Sequence, residues 1–262
     1  MKKKYKLWEK TPGLCKEKPV LEYYPAKNKK TDACFVILPG GGYGMRAEHE
    51  GKGYAEMLNE MGLDAFVCQY RVSPHRFPLP LLDARRALRF VRSQAEEFGI
   101  DPDKIAIMGS SAGGHLAALT STYREMIDFE GEDEIDCFKF LPDATVLCYP
   151  VIWEVDDSAI THEGSYKNLL GERFDELNAA VNPAKLVCDT TPPAFLWHTS
   201  DDAAVNVCNS FRYGEALRNQ NIPFEMHVFP CGPHGLGVAK DRENIHQWVH
   251  LLEMWLKTMN WL

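Results

Sequence analysis

From Cys34 onward, short apolar runs alternate with stretches that place apolar side chains at helical spacing. That alternation predicts a doubly wound α/β architecture, a mostly parallel sheet of about eight strands with helices on both faces. Strands are expected over residues 34–38, 64–70, 104–108, 144–149, 194–199 and 224–229, with two N-terminal edge candidates near 5–8 and 20–23. Helices are expected over 51–61, 81–98, the stretch after Ser111, and 241–257. In the second of these, Leu82, Leu88, Val91 and Ala95 fall on one face. No repeat or low-complexity linker divides the chain, so residues 1–262 are read as a single domain. Two stretches break the alternation, residues 122–142 and 153–186. Both are read as insertions near the site, the second with short helices at 166–170 and 175–180. They would lie where a parallel sheet places its ligand crevice.

The net charge of −8 leaves no basic surplus to neutralise phosphates, which argues against a nucleic-acid partner. No apolar stretch approaches a membrane span, and the basic start, Met1 to Lys6, lacks the apolar run of a signal peptide. A cytoplasmic protein is the expectation. The eight cysteines form no C-x-x-C pair, and Cys34, Cys68 and Cys148 sit inside apolar strand-like runs. They read as reduced core thiols rather than disulfides or zinc ligands.

Gly109-Ser110-Ser111-Ala112-Gly113 fits G-x-S-x-G between a strand-like run and a run of small and apolar residues. A serine on such a strand–turn–helix junction is displayed at the sheet edge, at a helix N-terminus. A serine hydroxyl needs a general base to become a nucleophile, and the base needs a carboxylate to orient it. Both follow in the order serine, acid, histidine. The run 194–199 leads into Asp201 and Asp202, and Asp202 is favoured because Asp202-Ala203-Ala204-Val205 fits an Asp-x-x-Val spacing. Either aspartate could supply the carboxylate while the other caps a helix. His234, flanked by Pro233 and Gly235 directly after the last strand, must be displayed on a loop. The glycines Gly40-Gly41-Gly42 follow the first buried strand and let the backbone approach a ligand. The amides of Gly41, Gly42 and Ala112 are the candidates for an oxyanion hole. A dinucleotide fingerprint formally fits Gly42 to Ala47, but the charged residues after Gly44 are a poor start for the packed helix it requires.

With these pieces placed, the chain resembles the α/β-hydrolase superfamily. More narrowly, it resembles the small acetyl-xylan-esterase-like and feruloyl-esterase-like carboxylesterases related to the hormone-sensitive-lipase group. The carrying segments are Leu38-Pro39-Gly40-Gly41-Gly42-Tyr43, Tyr70-Arg71-Val72-Ser73-Pro74, Pro80 to Ala87, Met108 to Leu116, His198 to Asp202 and Gly232-Pro233-His234-Gly235. The resemblance implies a serine carboxylesterase with catalytic Ser111, Asp202 and His234, an oxyanion hole of Gly41, Gly42 and Ala112, and a small cap or none. It implies short acyl esters, acetylated sugars or xylo-oligosaccharides, as substrates, with no metal and no cofactor. Arg71 and Asp83 look structural. Pro39 stands where hormone-sensitive-lipase relatives carry histidine, which points away from the lipase branch. Tyr43 and Trp153 are candidate pocket walls, and a homodimer is left open. The competing readings are a prolyl-oligopeptidase-like peptidase and a non-catalytic ligand-binding module on the same fold.

Overall fold

The computed structural model describes residues 2–13, 17–130, 133–152 and 160–262. Its centre is an eight-stranded sheet ordered β1-β2-β4-β3-β5-β6-β7-β8. The strands are β1 (Lys3–Lys6), β2 (Val20–Tyr24), β3 (Cys34–Leu38), β4 (Asp64–Gln69), β5 (Ile105–Ser110), β6 (Ala144–Cys148), β7 (Ala194–Thr199) and β8 (Phe224–Phe229). β1 and β2 pair antiparallel, as do β2 and β4, and every other pairing is parallel.

Side chains alternate across a strand, so each strand feeds two cores. Cys34, Val36 and Leu38 of β3 join Leu88, Leu116 and Leu217 on one face of the sheet. These three leucines come from α2 (Leu79–Ser93), α4 (Ser111–Thr122) and α7 (Cys208–Asn219). Phe35 and Ile37 face the other way, toward Tyr54, Leu58, Trp248 and Leu252. Those belong to α1 (Glu48–Met61) and the C-terminal α8 (Glu243–Thr258). In this second core Trp197 of β7 stacks on Trp248 with centroids 5.1 Å apart.

The helix expected over 81–98 is broken at Gln94 into α2 and the single turn α3 (Ala95–Phe98). The amide of Gln94 is shared between the carbonyls of Phe90 and Val91, a tightened last turn that ends α2. The remaining two helices, α5 (Glu163–Leu170) and α6 (Phe174–Leu177), lie in the second insertion.

The first insertion runs from the end of α4 to the start of β6, along the amino edge of the sheet, and does not roof the carboxyl edge. Asp143 accepts the amide of Ile105 at the very start of β5. Farther back, Glu130 binds Arg85 and Arg89, and Asp133 and Asp136 bind Arg86, all on α2. Its acidity therefore answers the buried arginines of one helix. The seven cysteines among the described residues carry free thiols, with Cys34, Cys68 and Cys148 buried in β3, β4 and β6. No helix among the described residues is long and apolar enough to cross a membrane.

Candidate active site

Five chain segments converge at the carboxyl edge of the parallel strands. β5 ends at Ser110, and Ser111 opens α4 with φ of 52°. Left-handed backbone is costly for a non-glycine residue and persists only where the surroundings enforce it. Here the turn is so tight that a Cβ at Gly109 would run into the carbonyl of Gly113, and one at Gly113 into that of Leu38. Only glycine fits at either position, and the crowded turn aims the Ser111 hydroxyl out of the sheet.

His234 lies after β8 with Nε2 2.8 Å from Ser111 Oγ. Its Nδ1 is 2.7 Å from Asp202 Oδ2, on the loop after β7. Burial alone would raise the Asp202 carboxyl, but hydrogen bonds from His198, His234 and the Val205 amide outweigh it. They hold Asp202 well below the usual carboxylate range. An ionised carboxylate only accepts, so Nδ1 of His234 carries the proton and Nε2 is left to accept from Ser111 O–H. Asp201 stands apart from this chain of bonds. Its Oδ1 accepts the amide of Gly232, 2.7 Å away, and so ties down the loop that carries His234.

Gly41 and Gly42 adopt φ of 131° and 61° in the turn after β3. Among the described residues no acceptor meets the amides of Gly41, Gly42 or Ala112. The turn is held from outside by Tyr70 O–H on the carbonyl of Pro39 at 2.5 Å and Asn168 Nδ2 on that of Gly42 at 2.9 Å. Tyr43 is buried. Its hydroxyl lies 2.7 Å from Nδ1 of His115, whose Nε2–H is directed to the carbonyl of Val181 at 2.9 Å. Trp153 lies outside the described residues. Arg71 and Asp83 form a fully buried pair, with Nε and Nη2 of Arg71 each 2.8 Å from a carboxylate oxygen.

Three further residues join the site. Glu50 is a buried carboxylate, and Tyr149, directly after β6, has its ring centroid 5.0 Å from that of His234. A glutamate in the first turn of a helix carries no sequence signal separating it from Glu48 beside it. Tyr149 had one, its place at the carboxyl end of a strand. His162, half-buried ahead of α5, caps that helix by accepting the amide of Ser165 at Nδ1. Burial above all pushes its pKa down, and since Nδ1 accepts the Ser165 amide, the ring proton sits on Nε2. No group of His, Cys, Asp and Glu suited to a metal ion occurs among the described residues.

The BD-FAE family profile matches residues 22–217. The chain is 39% identical over 213 residues to endo-1,4-beta-xylanase B of Butyrivibrio fibrisolvens, a match covering 79% of this chain and 33% of that protein. It is 32% identical over 230 residues to an acetylxylan esterase of Xylanibacter ruminicola, covering 86% of this chain and 45% of that protein. The chain thus spans less than half the length of these curated relatives. A crystal structure of an acetyl ester-xyloside bifunctional hydrolase from Caldicellulosiruptor lactoaceticus is similar over 99% of this chain and 97% of that chain, with a TM-score of 0.92 and 41% identity.

Proposed function

The chain belongs to the BD-FAE family and has the α/β-hydrolase fold, and from that premise we propose that it is a serine carboxylesterase acting on short acyl esters. The observation that carries the proposal is the continuous hydrogen-bonded chain Ser111 Oγ, His234 Nε2, His234 Nδ1, Asp202 Oδ2. Ser111 Oγ attacks the ester carbonyl carbon as His234 Nε2 takes its proton. The carbonyl π-electrons move to oxygen, and the amides of Gly41, Gly42 and Ala112 receive the oxyanion. The tetrahedral adduct collapses, the alcohol leaves with the proton from His234, and an acyl-enzyme remains. Water, deprotonated by His234, attacks the acyl carbon, and collapse returns Ser111 and releases the acid. Asp202, kept ionised, stabilises the imidazolium in both halves.

Acetylated sugars or xylo-oligosaccharides are the proposed substrates. The names of the relatives support that choice: an acetylxylan esterase, a xylanase and an acetyl ester-xyloside hydrolase. The test is a panel of p-nitrophenyl esters from acetate to octanoate beside acetylated xylose, run on the wild type and Ser111→Ala. We expect acetate to be preferred and Ser111→Ala to lose at least ~10³-fold in kcat. Full turnover by Ser111→Ala would end the serine mechanism, and a preference for octanoate would end the short-acyl reading.

A further inference from the structure

The first turn of α1 touches both halves of the site. Glu50 is 2% exposed, and each of its carboxylate oxygens has a partner. Oε2 accepts the amide of Gly40, 2.8 Å away, at the start of the turn that bears Gly41 and Gly42. Oε1 accepts Tyr149 O–H at 2.7 Å. The Tyr149 oxygen in turn accepts the amide of Gly237 at 2.8 Å, three residues beyond His234. Since Tyr149 spends its one proton on Glu50, Tyr54 O–H must donate to Tyr149, 3.1 Å away. Two donors, Gly40 N–H and Tyr149 O–H, thus meet the Glu50 carboxylate, and two more, Tyr54 O–H and Gly237 N–H, meet the Tyr149 oxygen. Next to Glu50, the ring nitrogen Nε2 of His49 reaches the carbonyl of Gly235 at 2.9 Å.

We propose that Glu50 is a positioning residue that sets the oxyanion turn and the His234 loop together. It acts through Gly40 on one side and through Tyr149 and Gly237 on the other. It touches no substrate and exchanges no proton in the reaction. Its work is to fix the distance between the amides that receive the oxyanion and the imidazole that shuttles the proton. The isosteric amide keeps the size but not the pattern. With its oxygen on Gly40 N–H, its N–H meets the Tyr149 oxygen, and Tyr149 O–H must turn away from residue 50 toward Tyr54, which reverses the chain of bonds.

The proposal rests on the serine-esterase reading, and the experiment separates the two. Wild type, Ser111→Ala, Glu50→Gln, Tyr149→Phe and the double variant Glu50→Gln/Tyr149→Phe are assayed with p-nitrophenyl acetate. The amide NMR resonances of Gly40 and Gly237 are followed in the same proteins. Glu50→Gln is expected to lower kcat by ~30-fold with KM within about twofold, the pattern of a group that matters in the transition state. The double variant should fall no more than about threefold below Glu50→Gln, because both changes cut one chain of bonds. Both glycine resonances should move in Glu50→Gln. A kcat within twofold of wild type, losses that multiply in the double variant, or a shift confined to Gly40 overturns the proposal. Equal turnover by wild type and Ser111→Ala would instead defeat the esterase reading, and the two glycine resonances would still decide whether Glu50 couples the loops.

Discussion

Residues 123–143 and 160–186 both interrupt the alternation of strand and helix, and the protein uses them in opposite ways. The first follows a helix, so it begins at the amino edge of the sheet and spends its carboxylates on the arginines of α2. The second follows a strand, so it begins at the carboxyl edge. It lies against the site through Asn168 on Gly42, Val181 on His115, and His162 near His234. The element that precedes an insertion, rather than its length or polarity, decides which edge it reaches. On this view the first segment serves stability and the second supports the candidate site.

The strongest way to break that division is at Glu130. Its carboxylate holds Arg85 and Arg89, and the Arg85 side chain is fully buried. Glu130→Ala should cost ~3–5 kcal/mol of unfolding free energy, because it strands buried charge. Turnover of the folded protein at 25 °C should stay within about twofold. A tenfold loss of turnover with unchanged urea unfolding would place this segment at the site after all.

The next effect depends on pH. Burial pushes the His115 ring down to about 4, from an ordinary histidine value near 6.5. The folded state therefore refuses a proton that the unfolded chain accepts, so this contribution is complete above about pH 6.5 and is lost as pH falls toward 4. Fully expressed, the loss is on the order of 3 kcal/mol. Urea unfolding at pH 7 and pH 4.5 should show it, and His115→Gln should flatten that interval; an unchanged slope in the variant would assign the effect elsewhere. At the other edge, hydrogen bonds from Arg86 hold Asp133 below its ordinary value, so its pairs survive to lower pH. Acid should loosen the carboxyl-edge segment first.

The smallest effect is at Asn168, which supports Gly42 from α5 through one hydrogen bond. Asn168→Ala should cost ~1 kcal/mol in kcat/KM, about fivefold, and leave the unfolding midpoint in place. A shifted midpoint with intact kcat/KM would make the second segment as structural as the first.

The buried strands were the most legible elements. β3 and β7 lie where their runs of apolar and aromatic residues predicted, because a strand covered on both faces needs few polar positions. β1 was not legible. It was expected over 5–8 and occupies Lys3–Lys6, an edge strand whose lysines face solvent and show no apolar alternation. Ser111, Asp202 and His234 could be named because each follows a strand among residues that force a turn. Glu50 and Tyr149 could not be paired, since their bond joins residues 99 positions apart and Glu50 leaves no local trace to match the strand-end position of Tyr149. The first insertion reaches the amino edge rather than the carboxyl edge expected for it, because α4 stands between it and β5 and carries the chain back.

The stacked Trp197 and Trp248 give the molecule a reporter of its own. Trp197 also meets the ring of Tyr149 edge-on at 4.9 Å, and Tyr149 stands against His234. Light absorbed by this indole pair is emitted from one ring away from the imidazole. Near-ultraviolet dichroism and tryptophan emission should therefore register a shift of the histidine loop, such as one on acylation of Ser111, in the unlabelled protein.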